Sequence, residues 1–207
     1  MDEIRTKRGE ARERLLEVAE AAVLAKGFAA TSIEELVAAV GITKSGFFYH
    51  FRDKNALARA MIERYLAQDA AVLDGIFRRG DATDADPLRG FLEGLRLFAE
   101  AMADLPSNYP GCLAASFAYQ DQLFDKEVRA LNAQGMLAWR TRFRARFDEI
   151  AAKYPPRAPV EFDALADMAT VLVEGGLILG RALGDRAILP KQILLYRDFV
   201  KALFSAP

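Results

Sequence analysis

Apolar residues recur along this chain at intervals of three and four almost from end to end, a spacing that places them on one stripe of a helix. Leu15, Ala19, Ala22 and Val23 make the first stripe, in a helix expected from about residue 10 to residue 26 and ended by Gly27. Ile33, Leu36, Val37 and Val40 make the second. A short helix over 44–50 follows, and after Asp53 a longer one carries Leu57, Met61, Tyr65, Leu66, Val72, Leu73 and Ile76. The polar run RRGDATDAD, 78–86, is expected to be a loop. Asp86-Pro87 then opens a helix, a cap residue followed by a proline whose missing donor costs nothing at the first helical position. That helix is expected to end near Leu105. A short helix over 112–122, a long one over 125–154 stopped by Pro155-Pro156, and two more over 163–183 and 190–204 complete the reading. No stretch alternates apolar and polar residues as a half-buried strand would, and there is no internal repeat, so the pattern predicts an all-α fold.

The stretch 31–54 says most about a partner. Thr31 and Glu34 have the spacing of a capping box, which satisfies orphan amides at a helix start. Gly41 suits the left-handed residue that ends a helix. Thr43 can cap the next helix after a turn short enough to make the pair a helix-turn-helix. At 100° per residue, Lys44, Ser45, Phe48 and Tyr49 share one side of that helix, while Gly46, Phe47 and His50 point away. A cation, a hydroxyl and two rings suit a DNA groove: the cation for phosphate or guanine, the rings for thymine methyls and sugars. Asp53 caps the following helix, and Lys54 stands at its first turn, where free amides and the positive dipole end favour a phosphate.

In Gly27-Phe28, Thr31-Ser32-Ile33, Gly41-Ile42-Thr43-Lys44, Phe47 to Phe51, Lys54 and Leu57 the chain resembles the tetracycline-repressor (TetR) family of bacterial transcription regulators. The resemblance covers the first quarter to third of the chain. Two positions depart from it: the family usually has Tyr where Phe48 stands, and Gly46 costs about 1 kcal/mol relative to Ala within a helix. The resemblance implies a DNA-binding domain over 1–53 and a helical effector-binding and dimerisation domain over 54–207. It further implies a homodimer, a repressor by family habit, released from a palindromic double-stranded operator by a small-molecule effector. Thr31, Ser32, His50 and Lys54 are expected at phosphates, and Lys44, Ser45, Phe48 and Tyr49 in the groove, with Thr43 at the start of the reading helix.

Composition sharpens this picture only locally. The 207 residues are 52% apolar with a formal charge of −1, ample for a core and unpromising for a DNA binder unless the charge is unevenly placed. Arg5, Lys7, Arg8, Arg12 and Arg14 form a basic arm ahead of the helix-turn-helix. A single cysteine, Cys112, leaves no intramolecular disulfide. The N-terminus lacks the apolar run of a signal peptide and no stretch reaches a membrane span, so a cytoplasmic protein is expected.

Beyond the head, Phe91, Leu95, Phe98, Met102, Phe117, Tyr119, Phe124, Met136, Trp139, Phe143 and Phe147 can build a core or the walls of an apolar pocket. An effector pocket is expected from Phe98, Met102, Phe117, Tyr119, Gln120, Met136, Trp139 and Phe143, with Asn108 and Asn132 at its edge. The run Trp139 to Phe147 interleaves rings with arginines: either the arginine stems cover a buried stripe, or Arg140 or Arg144 pairs with an acidic effector. Cys112 fits either a small buried hydrophobe or a redox sensor. A dimer face is expected from Met168, Leu172, Gly175, Gly176 and Leu179 with Ile193, Tyr196, Val200 and Phe204. No enzyme is expected: the only histidine, His50, lies in the reading head, and no zinc cluster, phosphate loop or HExxH motif is present. No cofactor is called for. A helical carrier or adaptor that never touches DNA is the competing reading, and it leaves the Gly41 to Lys54 pattern without a use.

Overall fold

The computed structural model describes residues 2–107 and 109–204, with side chains from residue 9 onward. Asn108 and the side chains of Arg5, Lys7 and Arg8, expected respectively at a pocket edge and in the basic arm, therefore lie outside the described residues. The helices are α1 (Asp2–Lys26), α2 (Ile33–Val40), α3 (Lys44–His50), α4 (Lys54–Thr83), α5 (Pro87–Ala103), α6 (Leu113–Tyr119), α7 (Lys126–Lys153), α8 (Phe162–Leu183) and α9 (Ile188–Phe204). A single 3-10 turn, Asp121–Leu123, precedes α7. Among the described residues there is no strand, and no helix is long and apolar enough to cross a membrane.

The chain packs as two compact units, one made of residues 1–67 and 110–135, the other of 68–109 and 136–207. The division differs from a cut after residue 53, because the first turns of α4, all of α6 and the start of α7 pack with α1 to α3.

In the first unit, Leu15, Leu16, Ala19 and Val23 of α1 are buried with Leu36, Val40, Phe47, Leu57 and Met61. Phe28 lies between Phe117, with ring centroids 6.1 Å apart, and Phe124, at 4.7 Å. The Phe28 N–H donates to Gln120 Oε1 at 3.0 Å, so α6 and the turn after it are built into the head. Gly27 precedes this contact at φ +87°, with Gln120 Oε1 3.1 Å from where a β-carbon would stand. The backbone favours glycine there, and a β-carbon would also press on the Gln120 amide.

In the second unit, α9 packs against α5 and α8. Phe77 stacks on Phe91 at 5.4 Å, Phe143 meets Phe91 edge-on at 5.9 Å, and Phe147 stacks on Phe204 at 6.1 Å. The run expected to be a loop, 78–86, is helical through Thr83. Its Gly80 meets α5 where Gly90 and Gly94 lie, and packing there outweighs the poor local propensity of the run.

Asp86 caps α5 as expected, accepting from the N–H groups of Leu88 at 3.1 Å and Arg89 at 3.0 Å. It also accepts from Lys153 Nζ and Tyr154 OH, each at 2.6 Å. Burial pushes the Asp86 carboxyl up, but the hydrogen bonds from Lys153, Tyr154 and the Arg89 amide outweigh it and hold the group well below the usual carboxylate range. A depressed folded-state pKa stabilises the fold above the unfolded carboxyl value of about 4, and that stability is lost as pH falls below it. Asp86→Ala should cost about 2–3 kcal/mol at neutral pH from the lost cap and the lost charged hydrogen bonds. In chemical denaturation the gap between Asp86→Ala and wild type should narrow as pH falls below 4; a gap constant down to acid unfolding would count against the assignment.

Candidate nucleic-acid interface

The reading helix is held from three directions. Thr43 Oγ1 caps it by accepting the Gly46 N–H at 3.1 Å. Gly41, in the left-handed region at φ 76°, ends α2 and turns the chain. Phe47 is fully buried, with the ring of Phe51 5.7 Å away. With this one ring locked in the core, the opposite side of α3 must face outward. Lys44, Ser45, Phe48 and Tyr49 are all exposed, Tyr49 at 64%. His50 is half-buried beside Tyr49, with ring centroids 5.1 Å apart. Phe48 leans edge-on against Phe47 at 5.4 Å, so its ring is steadied even though it lacks a hydroxyl.

The flanking residues divide differently from the sequence reading. The cap of α2 is Ser32, whose Oγ accepts the Glu35 N–H at 3.1 Å, and not Thr31. Thr31 is buried at 1% exposure and donates its hydroxyl to the Gly27 carbonyl at 3.0 Å. It therefore braces the α1–α2 turn and has no hydroxyl to offer a phosphate. Lys54 is also turned inward in part: its Nζ donates to the Phe28 carbonyl at 2.6 Å and lies 4.3 Å from the Phe28 ring centroid. Burial lowers its pKa. Asp53 caps α4 as expected, accepting the Ala56 N–H at 2.8 Å.

Two residues of this face carried no DNA-contact assignment from the sequence. The Arg52 side chain is 89% exposed, pairs with Asp53 at 2.9 Å, and adds a cation at the exit of α3. Glu34, on the first turn of α2, accepts from Lys44 Nζ at 2.7 Å, and this bond is the chief cause that lowers its carboxyl pKa. Lys44 is thus paired across the two helices. Arg52 could have been flagged as a cation beside the motif; the Glu34 pairing depends on the angle between α2 and α3, which no sequence spacing states.

The expected effector residues divide between the two units. Phe117, Tyr119 and Gln120 belong to the first unit and Phe98, Met102, Met136, Trp139 and Phe143 to the second. Phe117 and Gln120 are committed to Phe28, and Tyr119 is exposed at 76%. Asn132 is buried and donates to the Ala114 carbonyl at 3.0 Å. Trp139 donates its indole N–H to Asp69 at 2.6 Å, and Phe143 is core. Of the set, Met102 lines one cavity of the second unit and Phe143 lines another. Arg140 makes two 2.7 Å bonds to Asp167, and Arg144 bonds Asp163 at 2.7 Å and Asp148 at 3.1 Å. These arginines are occupied by the chain's own acids. Cys112 caps α6 by accepting the Ala115 N–H at 3.4 Å, and its sulfur lies 3.2 Å from Tyr65 OH.

On the expected dimer face, Ile193, Tyr196, Val200 and Phe204 are buried within the chain, and Tyr196 OH donates to the Leu165 carbonyl at 2.7 Å. The exposed side of α9 instead presents Leu194, Leu195 and Phe199. On α8, Gly176 is buried against Leu189, Met168, Leu172 and Gly175 are half-buried, and Leu179 is exposed with Val171, Ile178 and Leu183.

Among the described residues no group of His, Cys, Asp and Glu could hold a metal ion.

Residues 15–61 match the family model described as bacterial regulatory proteins, tetR family. The transcriptional regulator AcuR of Cereibacter sphaeroides is 28% identical over 153 residues, which is 74% of this chain and 68% of AcuR. The transcriptional repressor NemR of Escherichia coli K12 is 29% identical over 82 residues, 40% of this chain and 41% of NemR. A TetR-family regulator of Agrobacterium tumefaciens has the same fold, with a TM-score of 0.77 at 18% identity over 96% of this chain and 100% of its own. A TetR regulator of Chloroflexus aurantiacus gives 0.76 at 25% identity, over 96% and 98%.

Proposed function

From the premise that this chain is a DNA-binding transcriptional regulator of the TetR family, we propose that it acts as a homodimeric repressor that leaves a palindromic operator when a small molecule binds its second unit. The observation that carries this reading is the outward face of α3, where Lys44, Ser45, Phe48 and Tyr49 stand exposed on a helix pinned by the buried Phe47. Lys44 and Ser45 meet base edges or phosphate, and Phe48 and Tyr49 pack on thymine methyls and sugars. Ser32, Thr43, His50 and Arg52 flank that face, and Arg52 takes the phosphate role that the inward-turned Lys54 fills only in part. A ligand acts by binding more tightly to a conformation whose reading helices are wrongly spaced for the operator, which shifts the population. Helix α4, shared by both units, is the covalent route for that change.

The homodimer is supported by the exposed apolar stripe of Val171, Ile178 and Leu179 on α8 and of Leu195 and Phe199 on α9. A face of this kind on a soluble helical bundle marks an association surface. Isologous pairing through it sets two reading helices for two half-sites. Phe199→Asp is expected to give a monomer in sedimentation and to weaken operator binding by at least about tenfold, because each half-site is then bound alone. A Phe199→Asp protein that still sediments as a dimer would remove this face from the interface.

Selection of bound duplexes from a random library, at a stated salt concentration near physiological, tests the whole reading. A recovered palindrome is the expected result. Recovery of sequences without two-fold symmetry, or only salt-sensitive binding with no sequence preference, would count against it.

A further inference from the structure

Phe28, buried in the turn between α1 and α2, is held through both of its main-chain polar groups. Its N–H donates to Gln120 Oε1 at 3.0 Å, and its carbonyl accepts from Lys54 Nζ at 2.6 Å. The ring is fixed as well: Phe117 and Phe124, stacked on each other at 4.3 Å, pack against it, and Lys54 Nζ lies 4.3 Å from its centroid. Lys54 begins α4. Gln120 ends α6 and stands outside residues 15–61, which carry the family match.

Gln120 is the informative member. A neutral amide can accept and donate at once, and this one does both: while Oε1 takes the Phe28 N–H, Nε2 donates to the Ser116 carbonyl at 3.5 Å. Segment 120–127 is tied to α4 twice more. Asn55 Oδ1 accepts the Asp125 N–H at 3.3 Å, and Arg59 bonds Glu127 at 2.7 Å. The turn that Gln120 holds leads into Ser32, the cap of α2, and α2 packs against both α1 and α3. Whatever sets this turn therefore sets α3. Hydrogen bonds to base edges need heavy-atom distances of about 2.7–3.2 Å, whereas attraction to the phosphate backbone tolerates small displacements and carries no sequence information.

We propose that Gln120 is a positioning residue for operator recognition: by holding the Phe28 amide it fixes the α1–α2 turn, and with it α2 and α3, where Lys44 and Ser45 reach base edges. This role rests on the reading of α3 as the face that meets DNA. Gln120 acts through Phe28 and makes no contact with DNA itself.

The test is operator binding by the full-length protein and its Gln120→Met and Gln120→Glu variants. Fluorescence anisotropy across a salt series compares the duplex selected from the random library with an unrelated duplex of equal length. Methionine matches glutamine in length and has no oxygen to accept the Phe28 N–H; glutamate keeps the acceptor and adds a charge that a phosphate would repel. Gln120→Met is expected to weaken operator binding about tenfold, the range of one lost hydrogen bond. Its salt slope and its affinity for the unrelated duplex should stay at wild-type values, because no phosphate contact is lost. Gln120→Glu should recover most of the operator affinity, the opposite of what a side chain touching DNA would do. Hydrogen exchange without DNA gives a second readout: the Phe28 amide should exchange about tenfold faster in Gln120→Met and near the wild-type rate in Gln120→Glu.

Unchanged operator affinity in Gln120→Met would overturn the proposal. So would an equal loss on both duplexes, which marks a general weakening of the head, and so would Gln120→Glu binding the operator no better than Gln120→Met. Those three outcomes leave the reading of α3 standing. A wild-type protein that selects no operator sinks that reading and the role of Gln120 together.

Discussion

Replacing Gly80 with alanine is expected to destabilise the protein by about 2–4 kcal/mol, although alanine is the better helix former. A β-carbon at Gly80 would stand 2.5 Å from the Gly90 carbonyl oxygen and 2.6 Å from the Gly94 amide nitrogen. Both obstacles are backbone atoms of α5, so relief requires moving the two helices apart. That movement would disturb Phe77 and Phe91, which stack at 5.4 Å beside this crossing. Gly75, on the same helix, has nothing within 4 Å of its would-be β-carbon. Gly75→Ala should therefore stabilise by up to about 1 kcal/mol, the difference in helix propensity. Urea denaturation of the two variants separates the explanations. If both shift the midpoint in the same direction, the α4–α5 crossing is looser than described.

Operator affinity should respond in opposite directions to the two partners of the Lys44–Glu34 pair. Lys44→Ala removes a cation from the outward face of α3 and should weaken binding by about 1–3 kcal/mol, or roughly ten- to a hundredfold. If the lost contact is to phosphate, the salt slope should fall by about one and the loss should be similar for all sequences; if it is to guanine, specificity at one position should relax. Glu34→Gln removes an exposed carboxylate from the same face and frees Lys44. The pair is exposed on both sides, at 59% and 66%, so water screens it and the gain should be no more than about fivefold. Fluorescence anisotropy across a salt series measures both. Weaker binding by Glu34→Gln would mean that Glu34 orients Lys44 productively instead of competing with DNA for it. Unchanged affinity in Lys44→Ala would take Lys44 off the DNA face.

Much of the head was legible without coordinates because its signals are local. Thr43 and Asp53 cap the helices expected of them, Gly41 adopts the left-handed conformation its place after Val40 suggests, and the 100° rotation puts Phe47 opposite Tyr49. The Ser32 cap was misassigned by one residue, to Thr31. Both residues can cap, and the choice is made by the Gly27 carbonyl, which takes the Thr31 hydroxyl.

The sequence by itself determined that the chain is all helical, where most helices begin and end, and that a helix-turn-helix turns Lys44, Ser45, Phe48 and Tyr49 outward. Helical periodicity and capping act over three or four residues, so a short window contains the cause. The tertiary structure decided what depends on distant residues. It made 78–83 helical, because Gly80 packs on Gly90 and Gly94 of α5. It turned Ile193, Tyr196, Val200 and Phe204 inward and left Leu195 and Phe199 outside, because α9 carries apolar residues on both sides and the neighbouring α5 and α8 cover only one. It brought Phe117 and Gln120 against Phe28, 89 and 92 positions earlier in the chain. Burial of a face requires a neighbour, and its position along the chain is not written in the face itself.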